Sequence, residues 1–132
     1  MIKKITNKTN RAKEYFLDKI SFEIGPYELK DMIQNEINNL NIVDVRTYDD
    51  YIDGHIPYAI HVPFDSIKEH MVMFDKEKLN IVYCYNNFCK LGHKAAYILT
   101  DNSYPTMLLS GGYATWQKFG FDIIKTSSNN DK

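Results

Sequence analysis

The chain has 132 residues, 44% of them apolar, and a formal charge of −1, which fits one domain around one core and leaves little room for a second. Sixteen Lys and Arg against 17 Asp and Glu, with no long charge run, give no electrostatic footprint for nucleic acid or an acidic membrane surface. The expected partner is a small molecule or another protein. No apolar run reaches bilayer-spanning length. The N-terminus MIKKITNKTNRAKEYF is basic, without the apolar stretch and cleavage site of a signal peptide, so a cytoplasmic location is expected by default.

Helical and strand patterns alternate along the chain, the signature of a parallel sheet covered on both faces in an α/β fold. Residues 1–9 are polar and expected to fray. Ala12, Tyr15, Phe16 and Ile20 recur at helical spacing and predict an amphipathic helix packed on the outside of the domain. Phe22-Glu23-Ile24 is a short strand. Pro26 suits the first position of a helix whose buried stripe is Leu29, Met32, Ile33 and Ile37. Residues 41–45 read as a strand, Ile60-His61-Val62 as another, and Ile67, Met71 and Phe74 as the stripe of a further helix. Asn80-Ile81-Val82-Tyr83 is a β-rich run leading to Cys84. A helix over about 91–101 follows, then a strand over 106–109, Ser110-Gly111-Gly112, and a helix holding Tyr113, Trp116 and Phe119 with Gly120 as its C-terminal cap. Trp116 reads as core, and the two glycines suit a tight turn near a pocket rim. The SSNNDK tail after Thr126 is expected to fray.

The only two cysteines, Cys84 and Cys89, stand too close together for a disulfide framework. The spacing suits no zinc knuckle, and no second Cys or His pair completes four ligands, so neither a metal nor a cofactor is expected. Ligands of open α/β sheets collect beyond the carboxyl ends of the strands, where Cys84 lies. The stretch Cys-Tyr-Asn-Asn-Phe-Cys-Lys is short enough to curl over it, its amides turned toward the sulfur. An unperturbed thiol is only about 3% thiolate at pH 7. Lowering its pKa by about 2 units takes roughly 2.7 kcal/mol, which such amides, aided by Lys90 and Lys94, could supply. Cys84 is therefore the expected nucleophile, with Tyr85, Asn86, Asn87, Phe88 and Lys90 as the substrate-binding loop.

These residues make the chain similar to the rhodanese-like domains, single-domain members of the sulfurtransferase family, from about Ile20 to Asp122. The pieces come in the family's order: Ile-Val-Asp-Val-Arg at 42–46, Tyr51 with Gly54-His55-Ile56-Pro57 and Ala59, Ile81-Val82-Tyr83-Cys84, Ala95-Ala96, and Ser110-Gly111-Gly112 with Trp116. The resemblance implies a five-stranded parallel sheet with helices on both faces, placed over 20–125, and the residue patterns outside it are read as an N-terminal extension over 1–19 carrying the amphipathic helix and a disordered tail over 126–132. It also implies that Cys84 takes a sulfane sulfur from a donor such as thiosulfate and passes it from a persulfide to a thiol or protein acceptor. Three departures stand out. The stretch from Cys84 to Ala95 is long, resembling a long-loop subgroup with a second cysteine where Cys89 stands. Asn86, Asn87 and Phe88 replace that subgroup's loop glycines and proline, asparagine being tolerant of left-handed backbone. Tyr58 replaces the glycine usual after His-Ile-Pro.

Cys89 has two readings: a resolving thiol that attacks an oxidised or persulfidic Cys84, or a residue filling the base of the loop. Asp44 and Arg46 share a face at the strand end and read as a structural ion pair, with Asp49 or Asp50 available to Arg46. His93 falls in the first turn of the helix after the loop. His55 reads as packing, and His61 and His70 carry no functional signal. A phosphatase would want an arginine where Lys90 stands, and lysine lacks the bidentate fork. The rivals to sulfur transfer are a thiol redox protein cycling a Cys84–Cys89 disulfide and a non-catalytic module that binds a partner protein.

Overall fold

The computed structural model describes residues 7–126. The fraying and tail expected for residues 1–6 and 127–132 lie outside that range. Five strands, β1 (Glu23–Ile24), β2 (Leu40–Asp44), β3 (Ile60–His61), β4 (Leu79–Tyr83) and β5 (Thr106–Leu109), form one parallel sheet in the order β1-β5-β4-β2-β3. The helices are α1 (Thr9–Phe22), α2 (Pro26–Glu36), α3 (Tyr48–Asp53), α4 (Leu91–Asp101) and α5 (Gly112–Lys118).

Strand alternation divides the core in two. Ile42, Ile81, Tyr83 and Leu109 pack with Leu29 of α2 and Trp116 of α5. Val43, Val82, Cys84 and Leu108 pack with Ala95 and Leu99 of α4 and with Ile67 and Phe74. The central strands are apolar on both sides because both faces are covered. Trp116 is buried, and its indole N–H donates to the Asp122 carbonyl at 2.8 Å.

Several elements depart from the sequence reading. The segment holding Ile67, Met71 and Phe74 forms two 3₁₀ pieces, Phe64–Ser66 and Lys68–Met73. Its amides bond three residues back, as in Ile67 to Phe64, His70 to Ile67 and Phe74 to Met71. An apolar repeat of three to four residues fits such tight turns as well as an α-helix. Phe22 is helical rather than extended, and β2 begins at Leu40 and ends at Asp44. Helix α3 was not anticipated because it is one and a half turns without a buried stripe; Thr47 caps it, its hydroxyl accepting from the Asp50 amide. Tyr58 holds φ of +71°, backbone that glycine adopts without cost.

The largest difference concerns α1. It forms, and starts already at Thr9, but buries none of its residues. Tyr15, Phe16, Leu17, Ile20 and Phe22 are all exposed. It approaches β1 and β5, and a cleft of about 620 Å³ between Tyr15, Phe22, Tyr97 and Met107 lies between it, α4 and the sheet.

Candidate active site

The buried run of β4 delivers Cys84 to the carboxyl edge of the sheet, 3% exposed. The backbone after it is clamped from α5: the Tyr113 amide donates to the Cys84 carbonyl and the Ala114 amide to that of Tyr85, each at 2.9 Å. This approach requires glycine at 112. A Cβ there would stand 2.7 Å from the Cys84 carbonyl oxygen and 2.9 Å from the Asn86 nitrogen, and φ is +60°. From the other side, α4 packs against the cysteine at Gly92, where a Cβ would lie 2.7 Å from the Leu108 side chain and 3.7 Å from that of Cys84.

Asn86 folds the loop back. Its side-chain oxygen accepts from the Phe88 amide at 2.9 Å and the Cys89 amide at 3.1 Å. Among the described residues only Tyr58, Ser103 and three glycines hold left-handed φ. Asn86 and Asn87 therefore do not supply the left-handed backbone anticipated for them; Asn86 acts through its side chain, as turn asparagines do.

The turn sets Cys89 beside Cys84 at the same cavity, where the two thiols interact. Burial, then the hydrogen bond to Cys89, pushes Cys84 up to about 12. Burial opposes ionisation of Cys89 as well. It is outweighed there by the hydrogen bond from Cys84, by the N–H groups of Leu91 and Tyr85, and by the charge of Lys94, so that Cys89 falls below the ordinary thiol value. Burial at the strand end thus works against the thiolate expected at Cys84. Desolvation at the strand end exceeds what the amides supply there, and the amide cradle serves Cys89.

Asp44 and Arg46 form the buried ion pair anticipated for them. The guanidinium Nε and Nη2 donate to Oδ2 at 3.1 and 2.8 Å, and the Arg46 amide donates to Oδ1 at 2.9 Å. Tyr83 completes the network, donating from its hydroxyl to Asp44 at 2.8 Å and accepting the Ile56 amide at 3.1 Å. The guanidinium lies 4.0 Å from the centre of the Tyr113 ring. This network occupies the face of Tyr83, with the sheet between it and the sulfur of Cys84. Asp50 does not give its carboxylate to Arg46; it accepts from Tyr85 at 2.6 Å and from Thr47 at 2.9 Å. The Tyr85 hydrogen bond holds Asp50 below the usual carboxylate range.

A cavity of about 270 Å³ opens over the thiols. Of the residues anticipated at the site, Cys84, Asn86, Asn87, Cys89 and His93 line it. Tyr85 turns away, bordering a smaller cleft beside Arg46 and Thr47. Phe88, expected to pack or bind, is 91% exposed. Lys90 is exposed at the N-terminal cap of α4, its carbonyl accepting the Lys94 amide. His55 is packing, stacked on Tyr51 with ring centres 3.9 Å apart. Missed by the sequence reading were Gly92, Lys19 and Glu23, which also line the cavity. The only signal for the last two was their i, i+4 charge spacing.

The model of the rhodanese-like domain matches residues 25–119. The chain belongs to that family. This rhodanese-like domain is 33% identical over 76 residues to the thiosulfate sulfurtransferase GlpE of Coxiella burnetii, an alignment covering 58% of this chain and 70% of that one. It is 26% identical over 90 residues to the HTH-type transcriptional regulator Rv0324 of Mycobacterium tuberculosis, 68% of this chain but only 40% of the regulator. The crystal structure of the BH2092 protein from Bacillus halodurans matches with a TM-score of 0.80 at 29% identity, covering 89% of this chain and 87% of that one. Among the described residues no helix is long and apolar enough to cross a membrane.

Proposed function

We propose that this rhodanese-like domain is a sulfurtransferase in which Cys84 carries the sulfur as a persulfide. The observation that supports it is the position of Cys84: a buried sulfur beneath a small cavity at the carboxyl edge of the sheet, with a second thiol beside it. A thiol at about 12 is ionised to only ~1 part in 100,000 at pH 7, so its attack needs a proton acceptor in contact. Cys89, whose thiol lies below the ordinary value, is that acceptor in its ionised form. With thiosulfate as donor, Cys84 sulfur bonds to the sulfane sulfur, its proton passes to Cys89, and the S–S bond of the donor breaks with its electron pair leaving on sulfite. An acceptor thiolate, small or on a protein, then attacks the outer sulfur, releasing Cys84 as thiolate. The chemistry asks for no cofactor and for a reducing compartment such as the cytoplasm, in which both thiols stay free.

The contact between the thiols also favours a second reading, a redox protein that cycles a Cys84–Cys89 disulfide. Intact mass after thiosulfate, polysulfide or peroxide separates the two. The expected result is a gain of one sulfur on the wild type, a slower gain on Cys89→Ser, which lacks the proton acceptor, and none on Cys84→Ser, whose fold is kept because little volume changes. Loss of two hydrogens with every reagent, and sulfur gain with none, would establish the redox pair instead. Wild-type turnover by Cys84→Ser would pass the nucleophile's role to Cys89.

A further inference from the structure

Three ionisable side chains stand at the cavity that holds the thiols. The Lys19 ammonium donates to both carboxylate oxygens of Glu23, each at 2.9 Å, and His93 Nε2 lies 3.6 Å from the same carboxylate. All three border the thiol cavity, and all three also border the cleft between α1 and α4. They stand where the small cavity meets the larger cleft. Lys19 and Glu23 precede residue 25, where the family match begins. Helix α1 buries nothing, so its contribution to the core does not account for its position. What it does contribute is the ammonium group of its last turn.

The charges decide what that group is for. Below the cavity the thiol pair favours an anion on Cys89. A bare Glu23 carboxylate at the rim would add a second negative charge, and together they would oppose entry of any anion. Lys19 cancels the Glu23 charge at contact distance. Its hydrogen bond to Glu23 raises its own pKa, so it stays charged through the working range. Lys94, which favours the Cys89 anion, adds a second cation from α4. We propose that Lys19 is a specificity-determining residue, cancelling the Glu23 carboxylate at the cavity mouth so that small anionic sulfane donors such as thiosulfate can reach the thiols. The donor class rests on the sulfur-transfer reading; the charge role does not.

The two are tested separately. Iodoacetate and iodoacetamide alkylate thiols and differ chiefly by one negative charge, so the ratio of their rates reads the field at the cavity without sulfur chemistry. Lys19→Met should lower the iodoacetate/iodoacetamide ratio about 3- to 10-fold at low salt, Glu23→Gln should raise it, and the double variant should return to within about twofold of wild type. The kcat/KM for thiosulfate should fall with Lys19→Met by a similar factor at low salt, and added salt should shrink the difference between the two proteins. A ratio unmoved by Lys19→Met, or a double variant no closer to wild type than the single one, overturns the proposal. If the ratio moves as expected but the wild type gains sulfur from no donor, the charge role stands and the assignment of sulfane donors falls.

Discussion

Cys84 and Cys89 carry the same functional group and are set apart by their surroundings alone. Cys84 faces the apolar side of the sheet with Ala95 and Leu108, while Cys89 is half-buried and receives two backbone N–H groups. Ultraviolet thiolate absorbance should therefore show one thiolate per chain forming below 9.0, the ordinary value, and the second only as pH approaches about 12. Cys89→Ser should bring the Cys84 titration down, because the neighbouring anion that holds its proton is gone. Two thiolates appearing together near the ordinary value would remove the inequality. The sequence pointed to this pair through two cysteines beyond a buried strand, yet did not show that burial opposes ionisation of Cys84. The desolvation of Cys84 depends on how closely α4 approaches at Gly92 and on the Asn86 turn, both of them contacts across the fold rather than local patterns.

The loop is held at its first residues by the two amides from the start of α5, and this clamp works only with hydrogen in place of a side chain at residue 112. Gly112→Ala should destabilise the domain by about 2–4 kcal/mol, since the new methyl meets backbone atoms that cannot rotate away and φ is unfavourable. Urea unfolding midpoints check this, and an unchanged midpoint would mean that the loop gives way freely. The same variant should loosen the thiol pair, read as a lower Cys84 titration. At this scale the sequence was informative wherever an element buries a patterned face: the runs of β2 and β4, the stripe of α2 and the helix after Cys84 all lie close to where periodicity put them. It misled where pattern and burial part company. The apolar residues of α1 repeat as a buried stripe should, but remain open to solvent. The 3₁₀ pieces around Ile67 bury their anchors without an α-helix, and α3 folds with a cap and no stripe.

Alkaline conditions act on the whole molecule through groups that keep their protons when folded. Tyr83 is buried, and desolvation followed by the charge of Asp44 holds its hydroxyl well above 10.0. An unfolded chain releases that proton near 10.0, so above this value the unfolded state binds fewer protons and stability falls as pH rises. Cys84 adds a loss of the same sign between 9.0 and about 12, while Cys89, lowered, gives the opposite contribution below the ordinary thiol range. Urea midpoints should hold steady from neutrality to about pH 9 and decline beyond it, by at most about 1.4 kcal/mol per pH unit for each group. Equal midpoints at pH 8 and 10.5 would contradict the assignment, and Tyr83→Phe should flatten the decline.

The strand order has a consequence for how the chain is made. β5, the last strand to leave the ribosome, lies between β1, the first, and β4. Until Thr106–Leu109 arrives, Glu23 and Ile24 have no strand to pair with, and one edge of Leu-Asn-Ile-Val-Tyr in β4 stays open. An emerging or truncated chain that stops short of β5 therefore presents an apolar edge to its neighbours, the kind of surface that recruits chaperones or seeds aggregation. The cavity mouth, with Glu23 on one side and Ser110–Gly112 on the other, is assembled only when that last strand slides into the gap. A partly made chain is thus sticky before it can be reactive.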